Sequence, residues 1–447
     1  DQIARRDPSE RDTFLKSLRK LLPDPDDNLR AAAAKVAGEQ SDSAAVVRLR
    51  ELLDDSSSRV RYFALLSLAK LQDADAFEQV VTLVDPVENQ DPAIRHAAVM
   101  YMASLGDVAK ISLLHLHQSE AVRRAAVVAL RRLKAKDISV FLDDSSSLVV
   151  MEAARAIHDQ PIPAAINALA AMISKPEGSK ELVRRVLNAN YRLGTVDSAA
   201  NLASYATTGT AFPEMRVEAL EMLGQWVNPD PRDRVLNAHR PLSSRDQVVA
   251  KEALIPHIDT LITAPELVRE KAIDVASRLG IARIAPSLVQ RVTDTDLSAV
   301  TRGVSLTALN RIDPKIATKL AKQVKIKPVT ELLPAALRVL AQHDTGDSLP
   351  LFLEATESRS LKVRQLAWDI LANSTDPDAL SAIEKGIQSY LDTSLSTDVH
   401  LNVLEAADGK LSEDIQELLE AHGKAAADTD SLASWLFALD GGDAAKG

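Results

Sequence analysis

The stretch that decides the fold is VRYFALLSL at residues 60–68. It begins with an aliphatic residue and Arg61, has a small residue at Ala64, and ends in a small residue followed by an apolar one. Most copies of this phrase start about 26 to 36 residues after the previous one, and self-similarity at such a period is typical of helical repeat proteins. The arginines that we assign to the phrase are Arg30, Arg61, Arg95, Arg123, Arg184, Arg216, Arg269, Arg302 and Arg364.

The apolar residues within each copy are spaced as on a helix. Val60, Phe63, Ala64 and Leu68 follow the i, i+3, i+4, i+8 pattern, which places them on one stripe that can face neighbouring helices. A phrase helix joined to a second, antiparallel helix makes one repeat unit. The sequence therefore predicts an all-α fold, a right-handed α-α superhelix of the HEAT or armadillo type with about 12 to 13 helix pairs. We expect this solenoid to occupy residues 27–408.

The composition agrees with a solenoid and excludes several classes of function. The 447 residues are 46% hydrophobic but only 3% aromatic, as expected for closely packed helices rich in small side chains. A net charge of −10 argues against a nucleic-acid partner, because phosphate binding requires an excess of Lys and Arg. The absence of Cys excludes disulfides, thiolate zinc sites and covalently attached haem within these residues. No apolar run approaches the roughly 18 residues of a membrane span, so we expect no direct membrane insertion.

One inter-repeat turn is used twice, as DDSSS at 54–58 and again at 143–147. Its Asp and Ser side chains can accept hydrogen bonds from the free N–H groups of the next helix, whose positive end suits an acidic charge. The phrase arginine lies early in its own helix, where it can bond the acidic turn of an adjacent repeat. We therefore assign the phrase arginines a structural role rather than a ligand-binding one.

Both ends of the chain are predicted to be caps, which solenoids need because a terminal repeat has only one neighbour. Residues 1–26 are expected to contain an N-terminal capping helix, and residues 409–447 to contain C-terminal capping helices in which Trp435 and Phe437 close the exposed end. The chain begins with Asp1 and ends in LDGGDAAKG at 439–447. We interpret it as part of a longer protein, with the tail leading into a further domain.

The phrase is interrupted between Arg216 and Arg269 by an irregular loop at about 226–248. It contains QWVNPDPRDRV at 225–235 and NAHRPLSSRD at 237–246, whose three prolines forbid a regular helix over most of the stretch. Binding residues concentrate on loops held by rigid scaffolds, so this is the candidate interaction loop. Its candidate residues are Trp226, Arg232, Asp233, Arg234, His239 and Arg240.

Two interpretations of this loop remain open. In one, its arginines bind a carboxylate or the acidic surface of a partner. In the other, its aspartates neutralise the arginines locally, while Trp226 and Leu242 fill the seam between helices. The arginines are Arg232, Arg234, Arg240 and Arg245, and the aspartates are Asp230, Asp233 and Asp246.

Other residues that could carry chemistry have simpler explanations. His115 and His117 are two positions apart, so on a helix they point to different faces and cannot share a metal. Asn188 and Asn190 also face different ways, and we expect one of them to bond across repeats. The sequence has no phosphate-binding Gly-rich loop, no nucleophile elbow and no His-Glu-x-x-His motif. We therefore assign no catalytic, metal or cofactor-binding residue to this chain.

Three segments carry a more specific resemblance. They are RRVLNANYRLG at 184–194, PRDRV at 231–235 preceded by Trp226, and RPL at 240–242. They resemble the HEAT region of the large membrane-bound dehydrogenase or haem-binding proteins of Planctomycetes and Verrucomicrobia. Members of that family carry an N-terminal β-propeller similar to sugar dehydrogenases, then HEAT repeats, then a C-terminal cytochrome c domain.

The resemblance implies a periplasmic or cell-surface protein with haem c in a domain downstream of this chain. The tail at 439–447 looks like the lead-in to such a domain, but these residues contain neither a propeller nor a Cys-x-x-Cys-His motif. Any dehydrogenase or haem chemistry would therefore belong to other parts of the parent protein.

The sequence leaves three hypotheses for function. The first is a non-catalytic scaffold that spaces and orients a dehydrogenase-like propeller and a c-type cytochrome domain in one redox protein. The alternative is an independent HEAT module that binds a protein or peptide on its concave face. A third is an enzyme similar to the phycobilin lyases, which also use HEAT-like repeats. Expected partners are thus adjoining domains of the same polypeptide or another protein.

Overall fold

The structure is a computed structural model, and it describes residues 8–85, 91–174, 178–324 and 331–429. The predicted all-helical fold is confirmed: these residues form 25 α-helices, and no strand is present among them apart from one isolated bridge. The contacts divide the chain into two compact units, residues 1–246 and 247–447. The helices of the first unit are α1 Pro8–Lys20, α2 Asp27–Glu39, α3 Val46–Glu51, α4 Ser58–Leu71, α5 Phe77–Val84, α6 Pro92–Leu105, α7 Val108–Leu113, α8 Glu120–Leu133, α9 Ser147–Asp159, α10 Ile166–Ala171, α11 Lys180–Leu193, α12 Val196–Thr207 and α13 Pro213–Gly224.

The second unit has the same alternation of helices. Its phrase helices α16, α18, α20, α22 and α24 pack on one another in sequence order. The helices of this unit are α14 Gln247–Leu254, α15 Ile258–Leu261, α16 Glu266–Arg278, α17 Ala285–Thr293, α18 Ala299–Ile312, α19 Pro314–Ala321, α20 Leu333–His343, α21 Thr345–Ala355, α22 Leu361–Leu371, α23 Pro377–Leu391, α24 His400–Ala407 and α25 Glu413–Thr429.

In the first unit, the phrase helices α2, α4, α6, α8, α9, α11 and α13 form one row, each packed on the next. The helices between them are shorter, and several are preceded or extended by a turn of 3-10 helix; between α8 and α9 a 3-10 helix at Lys136–Asp143 replaces the α-helix altogether. The other 3-10 helices within the described residues are Ser43–Ala45, Leu52–Asp54, Ala74–Ala76, Leu114–Leu116, Pro163–Ala165, Met172–Ser174, Ile255–His257, Ala282–Ile284 and Thr397–Val399.

The small residues of the phrase let neighbouring helices approach closely. Ala33, Ala64, Ala98 and Ala126 occupy equivalent positions in four helices and are at most 1% exposed. Between α2 and α4 the approach is closest at Gly38, where an added Cβ would lie 2.6 Å from the Cα of Ser67. The low aromatic content is thus a packing requirement, because larger side chains here would separate the helices.

Several phrase arginines join one repeat to the next. Arg30 on α2 donates from Nε and Nη2 to both carboxylate oxygens of Asp55, in the turn before α4, at 2.8 and 2.9 Å. Arg123 on α8 makes the same pair of bonds to Asp144, in the turn before α9. Each aspartate also accepts a backbone N–H from its own turn, from Ser57 and Ser146 respectively. Each aspartate therefore stabilises its own turn and holds the arginine of the preceding repeat.

The remaining phrase arginines use other acceptors. Arg61, Arg216 and Arg302 donate to backbone carbonyls of the turn before their own helix or of the preceding helix. Arg364 pairs with Asp398 and also donates to the Ser358 carbonyl. The other three show less regular pairing: Arg184 bonds Glu218, Arg269 bonds its neighbour Glu270, and Arg95 is half-buried on α6.

A helix near each end of the chain packs on a neighbouring helix. Helix α1 packs on α2 and buries Leu15 and Leu18. Near the other end, α25 packs on α23. Trp435 and Phe437, which we expected to close that end, lie outside the described residues. Within the described helices none is long and apolar enough to cross a membrane.

Candidate functional site

The interaction loop predicted from the sequence at about 226–248 is irregular over residues 225–246, which fold back on α11 and the end of α9, whereas residues 247–248 belong to α14. It contains no helix, since α13 ends at Gly224 and α14 begins at Gln247. Trp226 anchors its start: the side chain is 1% exposed and meets Tyr191 of α11 edge to face, with ring centroids 6.0 Å apart. Aromatic pairs in this geometry add to the free energy gained by burial.

The middle of the loop is a short hairpin. The backbone N–H of Asp233 donates to Ala238 at 2.8 Å, and that of Arg240 donates to Pro231 at 2.9 Å, which places Arg232 opposite His239 in an antiparallel bridge. The left-handed turn at Asn237, with φ of 54°, closes it. The hairpin presents an exposed tip, which we define as residues 235–239; within it Leu236 and His239 are open to solvent.

The carboxylate of Asp233 is the centre of the loop's attachment to the helices, and its side chain is fully buried. Oδ2 lies 3.1 Å from Arg192 Nη1, 3.2 Å from Arg240 Nη1 and 3.2 Å from Asn188 Nδ2. Oδ1 accepts the backbone N–H groups of Val235 and Leu236 at 2.9 and 3.1 Å. One carboxylate therefore ties the hairpin to α11 and also stabilises the hairpin turn.

The network continues from Asn188 to the buried end of α9. Asn188 Nδ2 donates to His158 Nε2 at 2.8 Å, and His158 Nδ1 lies 2.8 Å from Asp159 Oδ1. These contacts are satisfied together when the ring carries its proton on Nδ1. Asp159 also forms a bidentate pair with Arg185, at 3.0 and 2.7 Å. Asn190, on the other side of α11, donates to the Ala170 carbonyl, so both asparagines bond across repeats.

The carboxylates of this network stay ionised despite their burial. Burial raises the pKa of Asp233, but the N–H groups of Leu236 and Val235 in the hairpin turn and the charge of Arg240 outweigh it and hold that pKa below its usual value. Burial likewise opposes ionisation of Asp159, yet the hydrogen bonds from His158 and Arg185 lower its pKa to about 2. Both groups therefore act as permanent negative charges at neutral pH.

The other loop arginines differ in what they contact. Arg234 donates to Gln225 Oε1 at 2.7 Å and pairs with Glu221 at 3.3 Å. Arg232 is exposed and donates only to the Asn237 carbonyl of the same hairpin. Arg245 stacks its guanidinium on Trp226 and Tyr191, 4.7 and 5.1 Å from their centroids.

The structure thus separates the sequence-predicted loop residues into two groups. Trp226, Asp233 and Arg240 are built into the attachment of the loop, and Arg234 joins it to α13. Arg232 and His239 lie on the exposed side. Of the expected aspartates, Asp233 pairs with Arg240, and Asp230 accepts the backbone N–H of Arg232.

Sequence reasoning missed the helix residues that complete the network. His158, Asp159, Arg185 and Arg192 come from α9 and α11 and were not proposed as site residues. The signal for Arg185 and Arg192 was present, because they lie in the distinctive segment at 184–194. Nothing in the local sequence distinguishes His158. Across the part of the chain that the structure describes, no group of His, Asp and Glu side chains is arranged to hold a metal.

Comparison with known proteins supports the repeat architecture. A sequence model of HEAT repeats matches residues 15–88. No curated protein matches the chain. Among solved structures, the chain resembles the complex of CpcE and CpcF of phycocyanin lyase from Nostoc sp., with 21% identity over 55% of this chain and 94% of that chain and a TM-score of 0.26.

Two karyopherin structures also resemble the chain. Kap121p bound to RanGTP is 14% identical over 96% of this chain and 56% of that chain, with a TM-score of 0.46. Yeast importin-β, Kap95p, is 15% identical over 95% of this chain and 71% of that chain, with a TM-score of 0.35. The described residues are all-helical, with rows of packed phrase helices in each unit, and residues 15–88 match HEAT repeats.

Proposed function

We propose that this chain is a protein-binding helical scaffold and that the hairpin tip at 235–239 is one of its contacts. The observation that carries the proposal is the attachment of the loop. A buried carboxylate, two arginines and an asparagine hold a hairpin whose tip is exposed. Pre-organising an exposed loop reduces the conformational entropy that is lost when a partner binds. A loop that only connects two helices would not need to be held in one conformation.

The partner that we propose is another domain of the same polypeptide. This rests on the resemblance of 184–194, 231–235 and 240–242 to the propeller, HEAT and cytochrome c proteins. Within such a protein the helical repeats would space and orient a dehydrogenase-like propeller and a c-type cytochrome, in the periplasm or at the cell surface. The chain has no Cys, so covalent haem attachment would belong to another domain.

Hydrogen exchange on the 447-residue chain and on the product of the complete gene tests this contact. We expect the backbone amides of residues 235–239 to exchange more slowly in the complete protein. The turn at 54–57 is the matched control, because it is also polar and belongs to the regular repeats. Equal exchange of the tip in both proteins would contradict the proposal. Absence of a Cys-x-x-Cys-His motif from the complete gene would remove the cytochrome as the partner.

A second candidate function is peptide binding on the phrase-helix face of the second unit. A groove of about 330 Å³ there is lined by Val300 and Val304 of α18, Pro334 of α20, and the cations Arg311 and Arg338. Val300 and Val304 lie one turn apart on α18 and are 57% and 48% exposed, so they give the groove an apolar strip. Val304→Glu would weaken peptide binding by this face and leave the hairpin contact unchanged.

A further inference from the structure

The attachment of the loop concentrates more positive than negative charge. Arg192 and Arg240 share the single carboxylate of Asp233 through the same oxygen, and each is 18% exposed. Arg192 Nη1 also donates to the Arg240 carbonyl at 3.3 Å, and Arg240 Nη1 donates to the His158 carbonyl at 3.2 Å. Their remaining guanidinium N–H groups stay available to an acceptor at the surface.

Arg245 adds a third guanidinium. Its Nη2 lies 3.5 Å from the backbone carbonyl of Arg192, and an added Cβ on Gly194 would lie 2.6 Å from its Nε. No carboxylate among the described residues lies within ion-pair distance of it, and its buried Nη1 has no hydrogen-bond partner. Two aromatic faces, Trp226 and Tyr191, hold the group in place instead.

The charges at this point do not cancel. Arg192 and Arg240 contact the carboxylate of Asp233, and Arg245 lies at the C-terminal end of α11, which contributes roughly half a negative charge. Burial and the nearby charges of Arg240 and Arg245 lower the pKa of Arg192 against the opposing effect of Asp233. A half-buried cation without a counterion is costly, and a bound anion would remove that cost.

We propose that Arg192, Arg240 and Arg245 bind a carboxylate side chain from an acidic segment of the partner protein. The inference rests on the proposed function and adds a second point of contact with the same partner, at the attachment of the loop rather than at its tip. A planar guanidinium fits a carboxylate through two parallel N–H bonds, and Arg245 is fixed in orientation by its stacking. The excess of about one and a half positive charges is largely neutralised by a single carboxylate, and the net charge of −10 repels large polyanions such as nucleic acids.

The test uses Trp226 as the reporter, because it contacts Arg245. In the full chain carrying Trp368→Phe and Trp435→Phe, Trp226 is the only tryptophan. Its fluorescence is followed during titration with a hexaglutamate peptide, and separately with inorganic phosphate, at low ionic strength. We expect a saturable change with the peptide that salt weakens.

Variants then assign the binding to the three arginines. Arg245→Gln and Arg240→Gln should each weaken peptide binding about tenfold or more, because each removes a charge-assisted hydrogen bond. Arg245→Lys should weaken it less, since the charge stays but the planar fork is lost. Arg132→Gln, which removes an exposed arginine of α8, is the matched control and should leave binding unchanged. Thermal melting of each variant checks that it folds.

Three results would overturn the assignment. The first is that the otherwise unaltered chain shows no saturable response to the peptide. The second is that phosphate binds more tightly than the peptide, and the third is that folded Arg245→Gln binds the peptide as well as the unaltered chain does. The first two do not depend on the stability of any arginine variant. If the peptide binds but the tip does not exchange more slowly in the complete protein, the carboxylate site is retained and the hairpin contact is rejected. If the tip exchanges more slowly but the peptide does not bind, the hairpin contact is retained and the carboxylate site is rejected.

Discussion

The regular repeats and the interaction loop use the same two residue types in different proportions. In the repeats, Arg123 and Asp144 form one pair with two parallel hydrogen bonds, and both side chains are nearly buried, at 11% and 3% exposed. In the loop, Asp233 is shared by Arg192 and Arg240. Arg245 lies beside them, and no carboxylate of the described residues is within ion-pair distance of it. A one-to-one pair leaves no positive charge for a ligand to neutralise. The loop cluster, by contrast, has an excess of positive charge.

The comparison separates a structural arginine from a candidate binding arginine. Arg30 and Arg123, which belong to the phrase, donate two N–H groups each to the aspartate of a neighbouring turn. Replacing either arginine should therefore affect stability alone. The loop arginines also stabilise the fold, but part of each guanidinium remains at the surface. Sequence alone could not make this distinction, because both sets lie beside acidic residues.

The largest effect is expected from Asp233→Ala. It leaves Arg192 and Arg240 half-buried without a counterion and removes the acceptor of the hairpin turn, so we expect a loss of about 3 to 5 kcal/mol in unfolding free energy. Urea unfolding followed by Trp226 fluorescence, in the chain with Trp368→Phe and Trp435→Phe, reports this directly. Asp233→Asn keeps an acceptor for the turn and should lose less. A loss below about 1 kcal/mol for the alanine variant would contradict the central role of this carboxylate.

Asp144→Ala should have a smaller effect, about 2 to 3 kcal/mol, and should not alter anion binding. Arg123 keeps its hydrogen bonds to the carbonyls of His117 and Gln118 after the carboxylate is removed, so its charge is less isolated. The same urea titration gives the stability, and the hexaglutamate titration gives the binding. A loss equal to that of Asp233→Ala would mean that a one-to-one pair and the shared carboxylate are energetically alike.

The smallest effect concerns acid pH. The pKa of Asp159 is about 2 in the folded chain against a usual 3.8. Its contribution is therefore complete at neutral pH and is lost as the pH falls through about 4 towards 2, for a total of about 2 kcal/mol. Unfolding free energies measured between pH 5 and pH 2 should fall less steeply in Asp159→Asn than in the unaltered chain. Parallel pH curves would show that His158 and Arg185 do not hold this carboxylate ionised.

The helical architecture could be predicted because its signals are local. The small residues at Ala33, Ala64, Ala98 and Ala126 mark the face on which helices meet, and the structure buries all four. The turns at 54–58 and 143–147 indicate where the next helix begins, and each supplies the aspartate that the preceding arginine binds. Prolines made the loop at 226–248 recognisable as irregular for the same local reason.

The composition of the site could be predicted only in part. Trp226, Asp233 and Arg240 were identified from the loop itself, but Arg192 is 41 residues and His158 is 82 residues from its loop partner. These contacts depend on which helix packs against the loop. No short sequence pattern predicts that packing. The same limit applies to Arg184: its place in the list of phrase arginines suggested a turn, whereas it pairs with Glu218 on α13.

The sequence by itself determined that this protein is a stack of helix pairs with one interruption, because helix formation and turn capping depend on residues within a few positions of each other. Tertiary structure alone decided what the interruption does. Packing the loop against α9 and α11 buries one carboxylate among more cations than it can neutralise. That imbalance of charge depends on residues brought together from three separate segments, and it is the basis of the binding site that we propose.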